Sequence, residues 1–438
     1  MAFSGFLKYL LFFFVSAIFT GCISSKLKVE NKSLNHFLED SEAFNNSFVG
    51  FSLYDPTKGE YIYEYNANKF FTPASNAKLF TFYTGKKIFT DSIPGILYED
   101  RNDTIFFTGT GDPTFLDEDF SIQPVYDFLK NSNSTLVYSE RDFHDERFGP
   151  GWSWDDYMYY YSPEKCSMPI YANVVTFNRY PGEPNLTIHP GRFNRSTLHL
   201  RDTVFSISRE ENTNMFKVRH GNWPDTVDRK TPFIYSTPTL LQLLRDSLGK
   251  RIYQSSQNTP DMGNILYSQH IDSVMKKMMI VSDNFIAEQM LIMGSGYLFD
   301  TLDADLCIKY AIDHLIPELK KQIDWVDGSG LSRYNKFTPR ANSILLQKIY
   351  DEYPKELIID LFPNGGISGT LKNNFKEETA YIVAKTGSMS NVYNLSGYLI
   401  TKKGEWLIFS FMNNNFEVPS SLVKTEMEKI LKNIHLKY

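Results

Sequence analysis

The chain has 438 residues, 42% of them hydrophobic and 22% charged, a globular composition with length for about two domains and a sizeable core. A net charge of −6 with no Lys/Arg-rich run argues against nucleic acid as a partner. The eight histidines contain no His-Glu-x-x-His, which disfavours a metallopeptidase, and no metal or other cofactor is expected.

Residues 1–21 predict a leader rather than part of the fold. Lys8 precedes the apolar run 9–19, and Thr20-Gly21-Cys22 follow, the pattern of a secretory signal. The run is shorter than the roughly 20 residues a bilayer span needs. Gly-Cys at the junction resembles a bacterial lipobox, although Phe19 replaces the usual Leu. That likeness implies cleavage before Cys22 and lipidation of its thiol. The protein would then be exported to the periplasm and touch the membrane only through Cys22. Cleavage would leave a net charge of −7 and two cysteines, Cys166 and Cys307, which predict two buried free thiols.

Residues 33–44 predict a helix, and 48–54 with 60–65 a β-hairpin across the turn 55–59. Thr72-Pro73-Ala74-Ser75 then leads into a helix over 76–89. From 96 to 234 the texture changes to short β-like runs, turn residues and Pro/Gly clusters. Helical periodicity returns at 237–248, 271–280 and 284–293, followed by strands near 379–386, 392–400 and 405–412 and a helix over 420–436. This order predicts an α+β fold. Residues 28–95 and 235–438 form one discontinuous domain in that reading, interrupted by a β-rich insert over 96–234.

Ser-x-x-Lys occurs six times, at Ser25, Ser75, Ser162, Ser247, Ser273 and Ser421, so the pattern alone is cheap. Ser75 stands out because a proline-containing loop delivers it to a helix start, where backbone amides favour developing negative charge. Lys78 follows one turn later on the same face, placed to take the serine proton. Such a lysine must be neutral when it reacts, so burial or a cationic neighbour such as Lys385 must lower its proton affinity. The competing explanation for Ser75 is a simple helix cap. Ser282-Asp283-Asn284 is a polar step between two helical stretches, and helix capping competes there as well. Lys385-Thr386-Gly387 lies in a strand-like run, where a glycine lets a substrate backbone dock as an added strand. An edge strand guarded by a lysine is the alternative.

Taken together, these residues resemble the class C low-molecular-mass penicillin-binding proteins, serine D-Ala-D-Ala carboxypeptidases and endopeptidases. The ordered triple Ser-x-x-Lys, Ser-x-Asn and Lys-Thr-Gly is the signature of such serine enzymes. Further likeness comes from 326–333 (VDGSGLSR), Thr338-Pro339-Arg340, 366–371 (GISGTL) and 395–398 (LSGY). In the insert it comes from 109–114 (GTGDPT) and Trp154-Asp155-Asp156. Ser282 lies 207 positions after Ser75, a gap similar to that of family members with inserted domains. Ser388 replaces a commoner Thr, and Cys166-Ser167-Met168 stands where small residues are usual.

The resemblance implies a penicillin-binding-protein/β-lactamase-like transpeptidase fold, an antiparallel sheet plus a helical subdomain. It implies Ser75 as nucleophile, Lys78 as base, Ser282, Asn284 and Lys385 as further catalytic groups, and Thr386, Gly387 and Ser388 as substrate-binding residues. The implied partners are peptidoglycan stem peptides ending in D-Ala-D-Ala, with β-lactams as covalent inhibitors. A β-lactamase or esterase of the same fold, and a catalytically dead cell-wall-binding lipoprotein, remain the alternatives.

Overall fold

The computed structural model describes residues 34–255 and 262–438; the leader 1–21 and Cys22 lie outside the described residues. The apolar end of the chain folds as three strands, Ile382–Met389, Val392–Ile400 and Trp406–Asn414. The hairpin Phe48–Asp55 and Glu60–Tyr65 joins them in one five-stranded antiparallel sheet, with Phe48–Asp55 paired to Trp406–Asn414. The Lys-Thr-Gly strand is the edge of that sheet. It starts later than the sequence predicts and runs on through Ser388 and Met389.

Every residue of Trp406–Asn414 is buried, as a short continuous apolar run covered on both faces should be. On one face Phe51, Leu395, Phe409 and Phe411 pack with Val423, Met427 and Leu431 of the helix Ser420–Lys437. On the other, Val383, Tyr398 and Ile408 join a core containing Phe80, Met278, Ile286 and Leu345. These come from the helices Ala77–Ile88, Ile271–Ile280, Asn284–Phe299 and Pro339–Glu352. Each such side chain contributes about 1.5–3 kcal/mol on burial, so the two cores clamp the sheet that carries the motif.

The stretch between the hairpin and these helices builds its own core, including Phe107, Val175, Phe177, Phe216 and Val218. Two elements from the stretch 235–438 belong to it. The helix Thr237–Leu248 buries Leu240, Leu244 and Leu248 there, and the strand Asn264–His270 pairs with Ser92–Arg101. Amphipathic spacing shows that a helix has a buried face but not which core claims it.

At the N-terminal end, helix covers only 34–40 of the predicted 33–44. Conversely, the helix predicted over 284–293 continues to Phe299. Cys166 and Cys307 are both buried and free.

Candidate active site

Pro73 and one tight turn, Ala74–Asn76, feed the helix Ala77–Ile88. Ala74 takes a left-handed φ of 45°, which an L-residue adopts only when its surroundings impose it. Those surroundings are the neighbouring sheet. Asn76 is fully buried; its Nδ2 donates to the Lys385 carbonyl (2.8 Å), and its Oδ1 accepts from Ser396 Oγ (2.8 Å). Ser75 does not cap the helix. Its Oγ accepts from Lys78 Nζ at 3.1 Å.

Lys78 is fully buried, and its ammonium also donates to Asn284 Oδ1 and to the Ser329 carbonyl, both at 2.6 Å. Burial pushes its pKa down to about 8, against the opposing pull of Asp327, Glu288 and Asp283. Desolvation penalises the charged form, and here it outweighs three carboxylates. Lys385 is also pushed well down, first by its own burial and then by the charge on Lys78. The sequence reading made Lys385 a cationic neighbour that could lower Lys78. Burial, the other cause offered by that reading, does most of the work.

Lys385 Nζ donates to Ser282 Oγ (2.8 Å) and to the Thr386 carbonyl (2.8 Å). Ser282 sits at a left-handed φ of 63°, and the helix after it is capped by Asp283, whose carboxylate accepts from the Ile286 amide. Capping therefore leaves the Ser282 hydroxyl free to meet Lys385. Asn284 bridges the two walls: Oδ1 accepts from Lys78, while Nδ2 donates to the Tyr161 carbonyl of the insert (2.9 Å). Ser75, Ser282, Asn284 and Ser388 line one cleft of about 880 Å³, closed on the insert side by residues including Tyr161 and Lys230. Thr386 lies beside the cleft, nearly buried, with its hydroxyl donating to Thr370 Oγ1 (2.9 Å).

Gly387 has a second reason beside the one the sequence suggests. A Cβ there would lie 2.4 Å from the Pro73 carbonyl and 3.2 Å from the Ser75 amide. Its bareness lets the Ser75 turn press against the strand. Gly387→Ala is expected to force these walls apart, costing about 1–3 kcal/mol of stability as overpacking does. A displacement near 1 Å would cost about a hundredfold in activity. Thermal unfolding and acylation rates check both effects, and a variant with unchanged rates would remove this explanation.

A family model described as D-Ala-D-Ala carboxypeptidase 3 (S13) matches residues 30–434. The chain belongs to that family. It is accordingly an enzyme, a hydrolase of the serine D-Ala-D-Ala carboxypeptidase class. It is 25% identical over 440 residues to D-alanyl-D-alanine carboxypeptidase DacB of Haemophilus influenzae, covering 88% of this chain and 89% of that one. Penicillin-sensitive carboxypeptidase A of Dictyostelium discoideum is 26% identical over 447 residues, or 86% and 85% of the two chains. Among solved structures, penicillin binding protein 4 (dacB) from Haemophilus influenzae superposes with a TM-score of 0.73 at 19% identity, covering 91% and 98%. The fold is thus the penicillin-binding-protein fold that the resemblance implied.

Sequence reasoning gave no role to several residues that hold these side chains. Ser329 offers the carbonyl that holds Lys78, Tyr161 the carbonyl that holds Asn284, and Thr370 the hydroxyl beside Thr386. Main-chain acceptors leave no residue-type signal. Glu288, four positions after Asn284 on one helix, was findable by spacing alone.

Proposed function

We propose that Ser75 is the nucleophile of a two-step acyl transfer on peptidoglycan stem peptides ending in D-Ala-D-Ala, as a carboxypeptidase, an endopeptidase or both, with Lys78 as its general base. One observation carries this reading: a fully buried lysine of lowered proton affinity contacts Ser75 Oγ at 3.1 Å in a chain of the S13 family. Neutral Lys78 takes the hydroxyl proton as Oγ bonds to the carbonyl of the penultimate D-Ala. The backbone amides of Ser75 and Ser388 receive the oxyanion; such donors each contribute about 3–4 kcal/mol. The C–N bond then breaks as Ser282 and Lys385, hydrogen-bonded to each other, relay to the leaving amine the proton that Lys78 took, which leaves both as they began and Lys78 neutral again. Asn284 orients the substrate's peptide group. Ser388 and Thr386 hold the terminal carboxylate, for which Thr386 exchanges its bond to Thr370. Water finally cleaves the acyl ester and regenerates Ser75. A β-lactam acylates the same serine and leaves slowly.

Export of the protein, cleavage after residue 21 and lipidation at Cys22 in the periplasm complete the proposal, supported by the sequence pattern. The insert of 96–234 is proposed to extend to about residues 92–270, because helix Thr237–Leu248 and strand Asn264–His270 pack within it.

The test is intact mass measurement and peptide mapping after incubation with penicillin. The expected result is one stable adduct on the peptide containing Ser75. Rapid antibiotic turnover would instead indicate a β-lactamase, and an unmodified protein a binding module.

A further inference from the structure

Among the described residues Lys78 touches no carboxylate directly; its acceptors there are one hydroxyl, one side-chain amide and one main-chain carbonyl. Two buried carboxyl groups stand immediately behind those acceptors. Glu288 lies one helical turn beyond Asn284, so both face the lysine. Its Oε1 accepts from the Ser329 amide at 2.7 Å, and the Ser329 carbonyl holds Lys78. Asp327 Oδ1 accepts from the Gly330 amide at 2.8 Å, the other end of the peptide group whose carbonyl holds Lys78. Hydrogen bonds in series polarise one another, so Asp327 acts on Lys78 through that single peptide group, whereas Glu288 pins the peptide group before it and acts on Lys78 across the short gap between them.

The two carboxyl groups differ in how they are satisfied. Asp327 also accepts from Ser332 N (2.6 Å), Asn335 Nδ2 (2.7 Å) and Trp152 Nε1 (2.9 Å), so both of its oxygens are engaged. Glu288 is 1% exposed, and its Oε2 has no partner among the described residues. So one Glu288 oxygen is tied to the Ser329 amide and the other is not, whereas both oxygens of Asp327 are engaged.

We propose that Glu288 is a positioning residue for the S13 reaction: it fixes Ser329, whose carbonyl holds Lys78, and its charge so close behind sets the pH at which Lys78 becomes a base. The inference rests on Ser75 and Lys78 acting as proposed above. Burial, with Asp327 alongside, pushes the Glu288 carboxyl up to about 7, just below the range in which Lys78 loses its proton. The charged groups that bear on the pair are few. Asp283 and Asp327 pull Lys78 upward alongside Glu288. Lys165, ion-paired with Asp145 at 2.6 Å, faces Glu288 from the insert side. Lys385 lies on the strand side of Lys78.

The test is the pH profile of acylation by a chromogenic β-lactam, from pH 5 to 10, on the full chain. Glu288→Gln keeps an acceptor for the Ser329 amide and removes the negative charge. Its acid limb is expected about one unit lower than in wild type, so that acylation near pH 7.5 is faster by up to tenfold. The high-pH plateau should stay within about threefold. Glu288→Asp, which retains the charge, should return the limb toward wild type. A limb that stays in place in Glu288→Gln overturns the proposal, since a bracing role would lower the plateau without moving the limb. If Glu288→Gln does not fold, the wild-type limb decides. Ionisation of Glu288 within it gives a shoulder shallower than one proton between about pH 7 and 8, and a plain one-proton limb overturns the assignment. A wild-type protein that forms no adduct at any pH would overturn the Ser75 reading itself, which is distinguishable from an adduct with an unmoved limb.

Discussion

Replacing Ser75 by alanine is expected to abolish covalent labelling by penicillin and to lower peptide hydrolysis by roughly 10⁵–10⁶-fold, the scale on which serine nucleophiles matter. The side chain is half-buried, and its Oγ takes a hydrogen bond from Lys78. One such bond contributes about 0.5–1.5 kcal/mol, so thermal unfolding should shift by only a few degrees. The turn itself is held by Asn76, through Lys385 and Ser396, and these contacts survive the substitution. Labelling kinetics and calorimetry on the same preparation separate lost chemistry from lost structure. Residual labelling at wild-type rate would place the nucleophile elsewhere.

Lys78→Met should lower acylation by about 10³–10⁴-fold, the upper range for a positioned proton acceptor. Methionine nearly fills the lysine volume, so packing is kept. The Asn284 Oδ1 and Ser329 carbonyl lose their partner, costing about 1–3 kcal/mol each, so rates are best compared well below the melting temperature. The wild type carries a pH signature that the variant should lack. A lysine of pKa about 8 is mostly protonated at neutral pH and becomes a base as pH rises. Acylation therefore climbs through about pH 8 and falls away on the acid side, reaching tenfold per unit only below about pH 7, whereas the methionine variant stays flat there. An ordinary lysine near 10.4 would place the limb more than two units higher. A variant that retained the wild-type limb would show that another group takes the proton.

The chemistry of this site was legible because it is written in residue types at fixed offsets. Ser75 and Lys78 sit one helical turn apart, and Lys385 to Ser388 lie in a row on one strand. What carried no signal was whatever depends on backbone or on distant packing. The Ser329 and Tyr161 carbonyls are invisible in sequence, since every residue has one. Gly387 was visible as a glycine, but its neighbour, the Pro73 carbonyl, lies over three hundred positions away. The helix Thr237–Leu248 was predicted to the residue, yet its leucines serve the insert's core. Local periodicity fixes an element, and only tertiary contacts assign it to a layer.

The sheet has a consequence in time. Phe48 pairs with Asn414, and Asn76 is anchored on Lys385. Contacts so distant in sequence cannot reward the chain until the intervening loop has been closed, which makes their formation slow and late. A chain in synthesis carries the Ser75 segment long before the strand at 382–389 that completes its surroundings. Reactivity therefore dates from the meeting of the two ends of the chain, not from the appearance of the serine, and every shorter intermediate is unarmed.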